Sequence, residues 1–208
     1  MRALAGLAII AALAGCSRNE AEGEPPHEGS TRIDDTAREQ ARFDAERRPD
    51  KIVEALGIGP GSRVADVGAG SGLLTVHLAR AVAPSGHVVA TDINKNVLEL
   101  LDQRLASAKL SKLVEPRVVE AEKPMLEPNA YDAILLSEVD HYFADEVAWL
   151  KAATPALKPG GRIVITNRIH HRDQAMAAAD KAGLVLKSQS TPVPTHFIAV
   201  FVAPGGKR

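Results

Sequence analysis

A glycine-rich turn is the first feature of this 208-residue sequence with residues suited to holding a ligand. The short apolar run RVADVG leads into Gly68, Gly70 and Gly72, and a segment with a helical pattern follows. Glycines between a strand and a helix let the backbone approach a ligand closely, and the helix N-terminus offers free N–H groups. The G-x-G-x-G spacing differs from the G-x-G-x-x-G of dinucleotide folds, and no lysine follows as in a phosphate loop. A tight turn without a ligand is the alternative.

An acidic residue, Asp92, ends the next apolar run, HVVATDI. At the end of a second parallel strand, a carboxylate can accept hydrogen bonds from both ribose hydroxyls of a bound adenosine. Taken alone, Asp92 would be interpreted as a cap of the helix that NKNVLEL predicts. Its distance from the glycine turn, which is that of one βαβ unit, favours the ribose-binding interpretation.

The segment 137–143, SEVDHYF, gathers two carboxylates, an imidazole and a phenol within five positions after the fourth predicted strand. In an open parallel sheet, ligands bind at the carboxyl ends of the strands, so these groups are expected beside the reacting atoms. The alternative is a polar loop in which Asp140 or Asp145 caps the next helix.

Two further groups follow later strands. His170 and His171 come after the fifth strand, but no carboxylate or cysteine at ligand spacing completes a metal site, so a surface pair is favoured. The turn TPVPTH before the last strand either borders an acceptor pocket or is only a hairpin turn.

A regular alternation of strands and helices positions these groups. Apolar strand patterns separated by helical patterns of 10–15 residues predict βαβ units and a parallel sheet covered on both faces. The last two strands lack an intervening helix, which predicts an antiparallel hairpin at the sheet edge, and Pro116 places the third strand near an edge. The expected fold is a doubly wound, mostly parallel seven-stranded α/β sheet with an antiparallel C-terminal strand. The predicted strands are RVADVG, HVVATDI, LVEPRVVEA, YDAILLS, GRIVITN, LVLKSQS and HFIAVFVA.

The composition is that of one soluble domain. Hydrophobic residues make up 45% and charged residues 25%, with a formal net charge of −1. Lysine and arginine are scattered, so no basic stripe suggests nucleic acid as a partner, and a small molecule fits better. The sequence leaves the oligomeric state open.

The N-terminus resembles a bacterial export signal. Residues 1–16 contain one arginine, an apolar run and small residues, and they end in Leu13-Ala14-Gly15-Cys16, which resembles a lipobox. The resemblance implies that Cys16 is lipidated and anchors the protein to a membrane of the cell envelope. A serine at position 17, directly after the cysteine, resembles the signal that sorts lipoproteins to the periplasmic face of the outer membrane. An apolar helix retained on the protein is the alternative. The expected organisation is a signal at 1–16, a tether at 17–32, and a domain at 33–208 with N-terminal helices at 33–57 and a core at 58–203.

Four motifs in order resemble those of the class I S-adenosylmethionine-dependent methyltransferases. They are VADVGAGSG, VVATDI, VEAEKPMLEPNAYDAIL and LKPGGRIVI, and the resemblance covers about residues 50–203. It implies S-adenosyl-L-methionine as the cofactor. Glutamate stands at position 120, where aspartate is commoner in that family. The residues implied in cofactor binding are Asp66 for the ammonium, Gly68, Gly70 and Gly72 for the methionine moiety and ribose, Asp92 with Ile93 for the ribose end, and Glu120 or Ala121 beside the adenine.

The segment 137–143 also resembles the D-x-Y-H-H stretch of a group of bacterial exported methyltransferases. Glu138 and His141 match its aspartate and its first histidine. The resemblance makes both candidate catalytic residues, with His141 as a base or as the group that orients the acceptor.

Three functions are weighed. The first is methyl transfer to an unidentified small acceptor. The second is a membrane-anchored protein that binds a nucleoside-like ligand, or serves as a scaffold, without turnover. It arises because S-adenosylmethionine is made in the cytosol, whereas the N-terminus predicts export. The third, a nicotinamide-dependent oxidoreductase, fails on the glycine spacing and on the antiparallel terminal strands.

Overall fold

The computed structural model describes residues 28–205, with side chains from residue 35 onward. The predicted signal, Cys16 and most of the predicted tether lie outside this range, so the lipoprotein anchor stays a prediction. Within the described residues, no helix is long and apolar enough to cross a membrane.

One seven-stranded sheet forms the centre of the described chain. Its order is β3-β2-β1-β4-β5-β7-β6, with the first five strands parallel and β7 antiparallel to both of its neighbours. The predicted sheet is therefore confirmed. The strands are β1 (Arg63–Val67), β2 (His87–Asp92), β3 (Val114–Val118), β4 (Tyr131–Ser137), β5 (Leu157–Arg168), β6 (Val185–Val193) and β7 (His196–Val202).

The edges of the sheet agree with the strand patterns. The third strand, which contains Pro116, is an edge strand, where a missing N–H costs least. The predicted C-terminal hairpin is present, and its two strands differ in polarity and position. The polar strand β6 forms the edge, whereas the apolar strand β7 lies one position inside, against β5.

Helices cover both faces of the sheet. They are α1 (Glu28–Arg47), α2 (Pro49–Leu56), α3 (Thr75–Val82), α4 (Lys95–Ser107), α5 (Glu146–Ala153) and α6 (Arg172–Lys181). Alternate residues of β4 enter opposite cores: Ala133 and Leu135 pack with the side of α2, α3 and α4, and Ile134 and Leu136 with the side of α5 and α6. Burial on both faces explains why this strand is apolar at every one of these positions.

The N-terminal helix α1 begins at Glu28, five residues before the predicted start at Ile33. No proline occurs between Pro26 and Pro49, so nothing in the backbone stops the helix from extending into the predicted tether. Pro49 then opens α2, and Gly57 ends it with a left-handed φ of +59°.

Polar contacts tie α1 to the glycine-rich turn. Arg104 of α4, only 8% exposed, donates from Nε to the carbonyl of Ser71 at 2.9 Å and from Nη2 to Glu39 at 2.6 Å. Gln40 donates to the carbonyl of Leu73 at 2.9 Å. The helix therefore lies beside the turn that the sequence predicts as a ligand-binding element.

Candidate functional site

The glycine-rich turn follows β1 at the point where the strand order reverses. The N–H groups of Gly68 and Ala69 both donate to the carbonyl of Thr91, at 2.8 and 2.9 Å, which holds the turn against the end of β2. Gly68 has a φ of +69°, and a Cβ there would lie 2.6 Å from Cγ2 of Val139. Only glycine fits this position, and its bare backbone faces a cavity.

The other two glycines have different surroundings. Gly70 donates from its N–H to Oδ2 of Asp92 at 3.0 Å, and a Cβ on it would meet nothing within 4 Å. A Cβ on Gly72 would lie 2.9 Å from Cγ of Leu101, so Gly72 lets α4 pack closely against the turn. Neither residue lines the cavity, and their predicted contacts with the cofactor stay predictions.

Asp92 lies at the mouth of the same cavity. Its Oδ2 accepts from Gly70, and its Oδ1 accepts from the backbone N–H of Asn94 at 2.9 Å. The cap of α4 is Asn94, whose side chain accepts from the N–H of Asn96. The helix-cap alternative for Asp92 is therefore wrong. Each carboxylate oxygen still has a lone pair available for a ligand hydroxyl.

A cavity of about 360 Å³ opens at these strand ends, a size usual for small-molecule sites. The stacked rings of Phe143 and Trp149 form one wall, with ring centroids 4.5 Å apart. Ile93 and Tyr142, 63% and 75% exposed, add apolar surface. Of the residues predicted from sequence, Gly68, Asp92, Ile93, Glu120, Ala121 and Glu138 line this cavity, whereas Asp66, Gly70, Gly72 and His141 do not.

The cavity suits an adenosine-containing ligand. It offers the surfaces that ribose and a flat base require. Gly68 presents backbone without a side chain, Asp92 a carboxylate with free lone pairs, and Ile93 an exposed aliphatic side chain. A larger depression of about 530 Å³ is lined by residues of α1, α3 and α4 together with Ser71, and it contains none of the predicted site residues.

Asp66 is enclosed near the end of β1. It is 2% exposed, and its Oδ2 accepts a hydrogen bond from the Thr75 hydroxyl at 2.7 Å. Burial raises the pKa of Asp66 to about 6, against the effect of the Thr75 hydrogen bond, and the negative charge of Asp92 adds to the rise. Its predicted contact with the ammonium of the cofactor stays a prediction.

Glu120 and Ala121 follow β3 and line the cavity as a pair. The Glu120 carboxylate lies 2.7 Å from Nζ of Lys123, and both side chains are well exposed. That carboxylate already pairs with Lys123 at the surface. The backbone of Glu120 and the side chain of Ala121 therefore remain as the groups that could contact an adenine base.

Glu138 joins the end of β4 to two distant segments. Its Oε1 lies 2.5 Å from Nη1 of Arg47 and 2.5 Å from Nε2 of His196. The histidine belongs to the turn TPVPTH, so this turn contacts a residue that lines the cavity. The sequence did not single out Arg47, and its end position on a charged helix carries no signal for such a contact.

His141 lies in a short 3₁₀ turn beside the cavity rather than in its wall. Asn167 accepts from the N–H of Arg168 through its Oδ1, which turns its Nδ2 toward Nδ1 of His141, 2.8 Å away. The histidine Nδ1 therefore accepts, and Nε2 carries the proton in the neutral ring. Of the two roles predicted for His141, this arrangement favours orienting an acceptor over removing its proton.

Three histidine rings of this region lie in a row, with His141 and His171 stacked and His170 tilted against His171. The ring of His141 lies 4.2 Å from that of His171, which lies 4.1 Å from that of His170. Among the described residues, no three histidine, cysteine or acidic side chains form a group suited to a metal ion.

The predicted helix cap is present at Asp145, which accepts from the N–H of Ala148.

A buried acid, Glu146, lies close to Asp140 behind this loop. Both are under 10% exposed, and one oxygen of Glu146 has no hydrogen-bond partner among the described residues. Burial raises the pKa of Glu146 from its ordinary value of 4.5 to about 7, and the charge of Asp140 contributes.

The variant Glu146→Gln is expected to flatten the pH dependence of stability. Between pH 4.5 and 7 the folded protein keeps a proton on Glu146 that the unfolded chain has lost, so unfolding free energy falls as the pH rises through this window. In Glu146→Gln, the decrease in the free energy of unfolding between pH 5 and pH 8 should be smaller than in wild type by about 2 kcal/mol. Denaturant unfolding at both pH values measures it, with the exposed Glu99→Gln as control. An unchanged pH dependence would contradict the assignment.

The comparisons with known proteins agree with this architecture. A family model described as a methyltransferase domain matches residues 65–163. The UbiE ubiquinone/menaquinone biosynthesis C-methyltransferase of Vibrio cholerae is 31% identical over 113 residues, which are 54% of this chain and 44% of that protein. The demethylmenaquinone methyltransferase of Staphylococcus aureus is 31% identical over 114 residues, 55% of this chain and 46% of that protein. The matches thus span less than half the length of these relatives.

Solved structures share the fold at low sequence identity. A SAM-dependent methyltransferase from Aquifex aeolicus superposes with a TM-score of 0.71 at 20% identity, over 77% of this chain and 92% of that one. A SAM-dependent O-methyltransferase from Thermotoga maritima gives a TM-score of 0.63 at 21% identity, over 78% and 67%. Residues 65–163 therefore resemble a methyltransferase domain, and the described chain has the Rossmann-like fold of these S-adenosylmethionine-dependent methyltransferases.

Proposed function

We propose that the chain is an S-adenosylmethionine-dependent methyltransferase that transfers a methyl group to a small-molecule acceptor. The observation that carries this proposal is that Gly68, Asp92 and Glu138, which lie at the carboxyl ends of three different parallel strands, line one cavity at the point where the strand order reverses. When bound, the cofactor supplies an electrophilic methyl group on a sulfonium.

Each wall of the cavity has a separate task in this proposal. Asp92 accepts hydrogen bonds from the ribose hydroxyls, while Ile93 and Ala121 contact the base and Gly68 leaves room for the ligand. Because the sulfonium is already an activated leaving group, the protein mainly orients the acceptor and excludes water. Phe143 and Trp149 contribute to the exclusion, since their stacked rings form an apolar wall.

For the acceptor, we propose a small molecule with an apolar ring. The support is the exposed apolar surface of Tyr142 at the cavity, together with the names of the relatives, which are methyltransferases of ubiquinone and menaquinone biosynthesis. A nucleoside-binding protein without turnover is the competing function.

Calorimetric titration of the full chain, kept in mild detergent because of its apolar N-terminal run, tests the proposal. We expect S-adenosylmethionine and S-adenosylhomocysteine to bind with micromolar dissociation constants. Transfer of a labelled methyl group to a reduced short-chain demethylnaphthoquinone then tests turnover. Binding of neither nucleoside would contradict the proposed function, and binding without transfer to a broad panel of small acceptors would favour the protein without turnover.

A further inference from the structure

A three-residue cluster joins parts of the chain that lie far apart in sequence. Arg47 is the last residue of α1, Glu138 follows β4, and His196 opens β7. One carboxylate oxygen, Oε1 of Glu138, receives hydrogen bonds from both of the other side chains at 2.5 Å. Charge-assisted bonds of this kind are the strongest hydrogen bonds available to side chains, so the carboxylate is firmly held.

Only the carboxylate of this cluster is open. The side chains of Arg47 and His196 are 10% and 12% exposed, whereas that of Glu138 is 32% exposed and lines the cavity. Its second oxygen, Oε2, accepts no hydrogen bond from the described residues. The cluster therefore covers its donors and leaves one acceptor atom available.

The histidine of the cluster is arranged as a neutral donor. The Thr195 hydroxyl lies 2.8 Å from Nδ1 of His196, and the opposite nitrogen, Nε2, faces the carboxylate. Burial lowers the pKa of His196, and the nearby charges of Arg47 and Arg168 lower it further, while Glu138 acts in the opposite direction. Near neutral pH, Nε2 therefore carries the only ring proton and donates it to Glu138.

The backbone of Glu138 is strained. Its φ is +54°, a region that costs a residue with a side chain about 1 kcal/mol, and its N–H is bonded to the carbonyl of Thr166. An ion pair that served only to attach α1 to the sheet would require neither this backbone nor an open oxygen. Strain of this kind concentrates where a side chain must point in one direction.

We propose that Arg47 and His196 are positioning residues that hold Glu138 so that its Oε2 faces the methyl acceptor. This inference rests on the proposed function and deepens it. Oε2 accepts a hydrogen bond from an O–H or N–H of the acceptor and takes that proton as the methyl group moves. The bond from the methyl carbon to sulfur breaks with its electron pair left on sulfur, and a new bond forms to the acceptor.

Sinefungin tests the inference without knowledge of the acceptor. In this cofactor analogue a carbon that bears an amino group replaces the methylated sulfur, so its ammonium reports a carboxylate beside the position of the methyl group. Calorimetry on the full chain gives the ratio of the dissociation constant of S-adenosylhomocysteine to that of sinefungin. We expect Glu138→Gln to lower this ratio about tenfold, as the loss of a hydrogen bond to a charged group predicts.

The positioning residues have their own variants. His196→Leu removes the donor and should lower the ratio about threefold, whereas His196→Gln keeps an N–H and should restore it. Arg47→Lys retains the charge, but the shorter side chain does not place its ammonium where Nη1 of Arg47 meets Glu138, so it should also lower the ratio about threefold. His87→Leu, at the opposite end of the sheet, is the control and should leave the ratio unchanged.

The outcomes separate the two proposals. If wild type binds neither S-adenosylhomocysteine nor sinefungin, the proposed function fails. If it binds both and Glu138→Gln keeps the wild-type ratio, the placement of Glu138 is wrong. A ratio that falls in Glu138→Gln but not in His196→Leu or Arg47→Lys would remove the positioning roles. If His196→Leu no longer binds S-adenosylhomocysteine, its ratio cannot be measured. The ratio of Arg47→Lys then decides whether the positioning roles stand.

Discussion

Replacing Gly72 with alanine should lower the free energy of unfolding by about 3 kcal/mol. Gly72 has a φ of +84°, and the new Cβ would lie 2.9 Å from Cγ of Leu101 and 3.3 Å from its Cδ1. Leu101 is fully buried between α4 and the sheet, so its side chain has no space into which to move. The energetic costs of the backbone strain and of the steric overlap therefore add in the free energy of unfolding.

Gly183→Ala is a matched control for this variant. Gly183 has the same φ of +84°, but a Cβ there would meet nothing within 4 Å. Its replacement should cost only the backbone strain, about 1 kcal/mol. Denaturant unfolding of the two variants and wild type measures both effects, and equal losses would show that the Leu101 contact is relieved without cost.

Asp92→Ala should weaken the binding of S-adenosylmethionine by about 10- to 100-fold, or roughly 1–3 kcal/mol. The variant removes the carboxylate at the end of β2 that we expect to accept from the ribose hydroxyls. It also removes the acceptor of the Gly70 N–H, so the glycine-rich turn loses one of its attachments. Calorimetry of the variant against wild type measures the loss.

Two further variants sharpen this result. Asp92→Asn keeps an oxygen that can accept from the backbone but has no charge, so its affinity should fall between those of wild type and Asp92→Ala. Asp102→Ala, on the exposed face of α4, removes one negative charge elsewhere and should bind as wild type. Wild-type affinity in Asp92→Ala would exclude Asp92 from the ribose site.

Most of the fold could be predicted because its strands are short, apolar and regularly spaced. A strand such as β4, which is buried on both faces, has few alternatives to its position in the centre of the sheet. Boundaries were harder, because local pattern does not mark them. The run SGLLTVHLARAV predicts a helix from its first residue, yet α3 begins at Thr75, since residues 71–74 belong to the glycine-rich turn.

The site could be predicted only in its local parts. Asp92 ends one strand and Glu138 directly follows another, and the carboxyl ends of parallel strands meet at one edge, so their proximity follows from the pattern. Arg47 comes from a charged helix that shows no chemistry in sequence. His196 ends the turn TPVPTH, for which the sequence left open a border of the acceptor pocket or only a hairpin turn. Their contact with Glu138 depends on how α1 and β7 dock, which no short motif encodes.

The position of β7 has a consequence for how the protein is made. Among the described strands β7 is the last to be synthesised, yet it lies between β5 and β6. Until β7 is available, one edge of β5 and the whole of β6 have no pairing partner, and unpaired strand edges of this kind favour aggregation. His196 is the first residue of that strand, so its hydrogen bond to Glu138 can form only after β7 has been synthesised and has paired with β5.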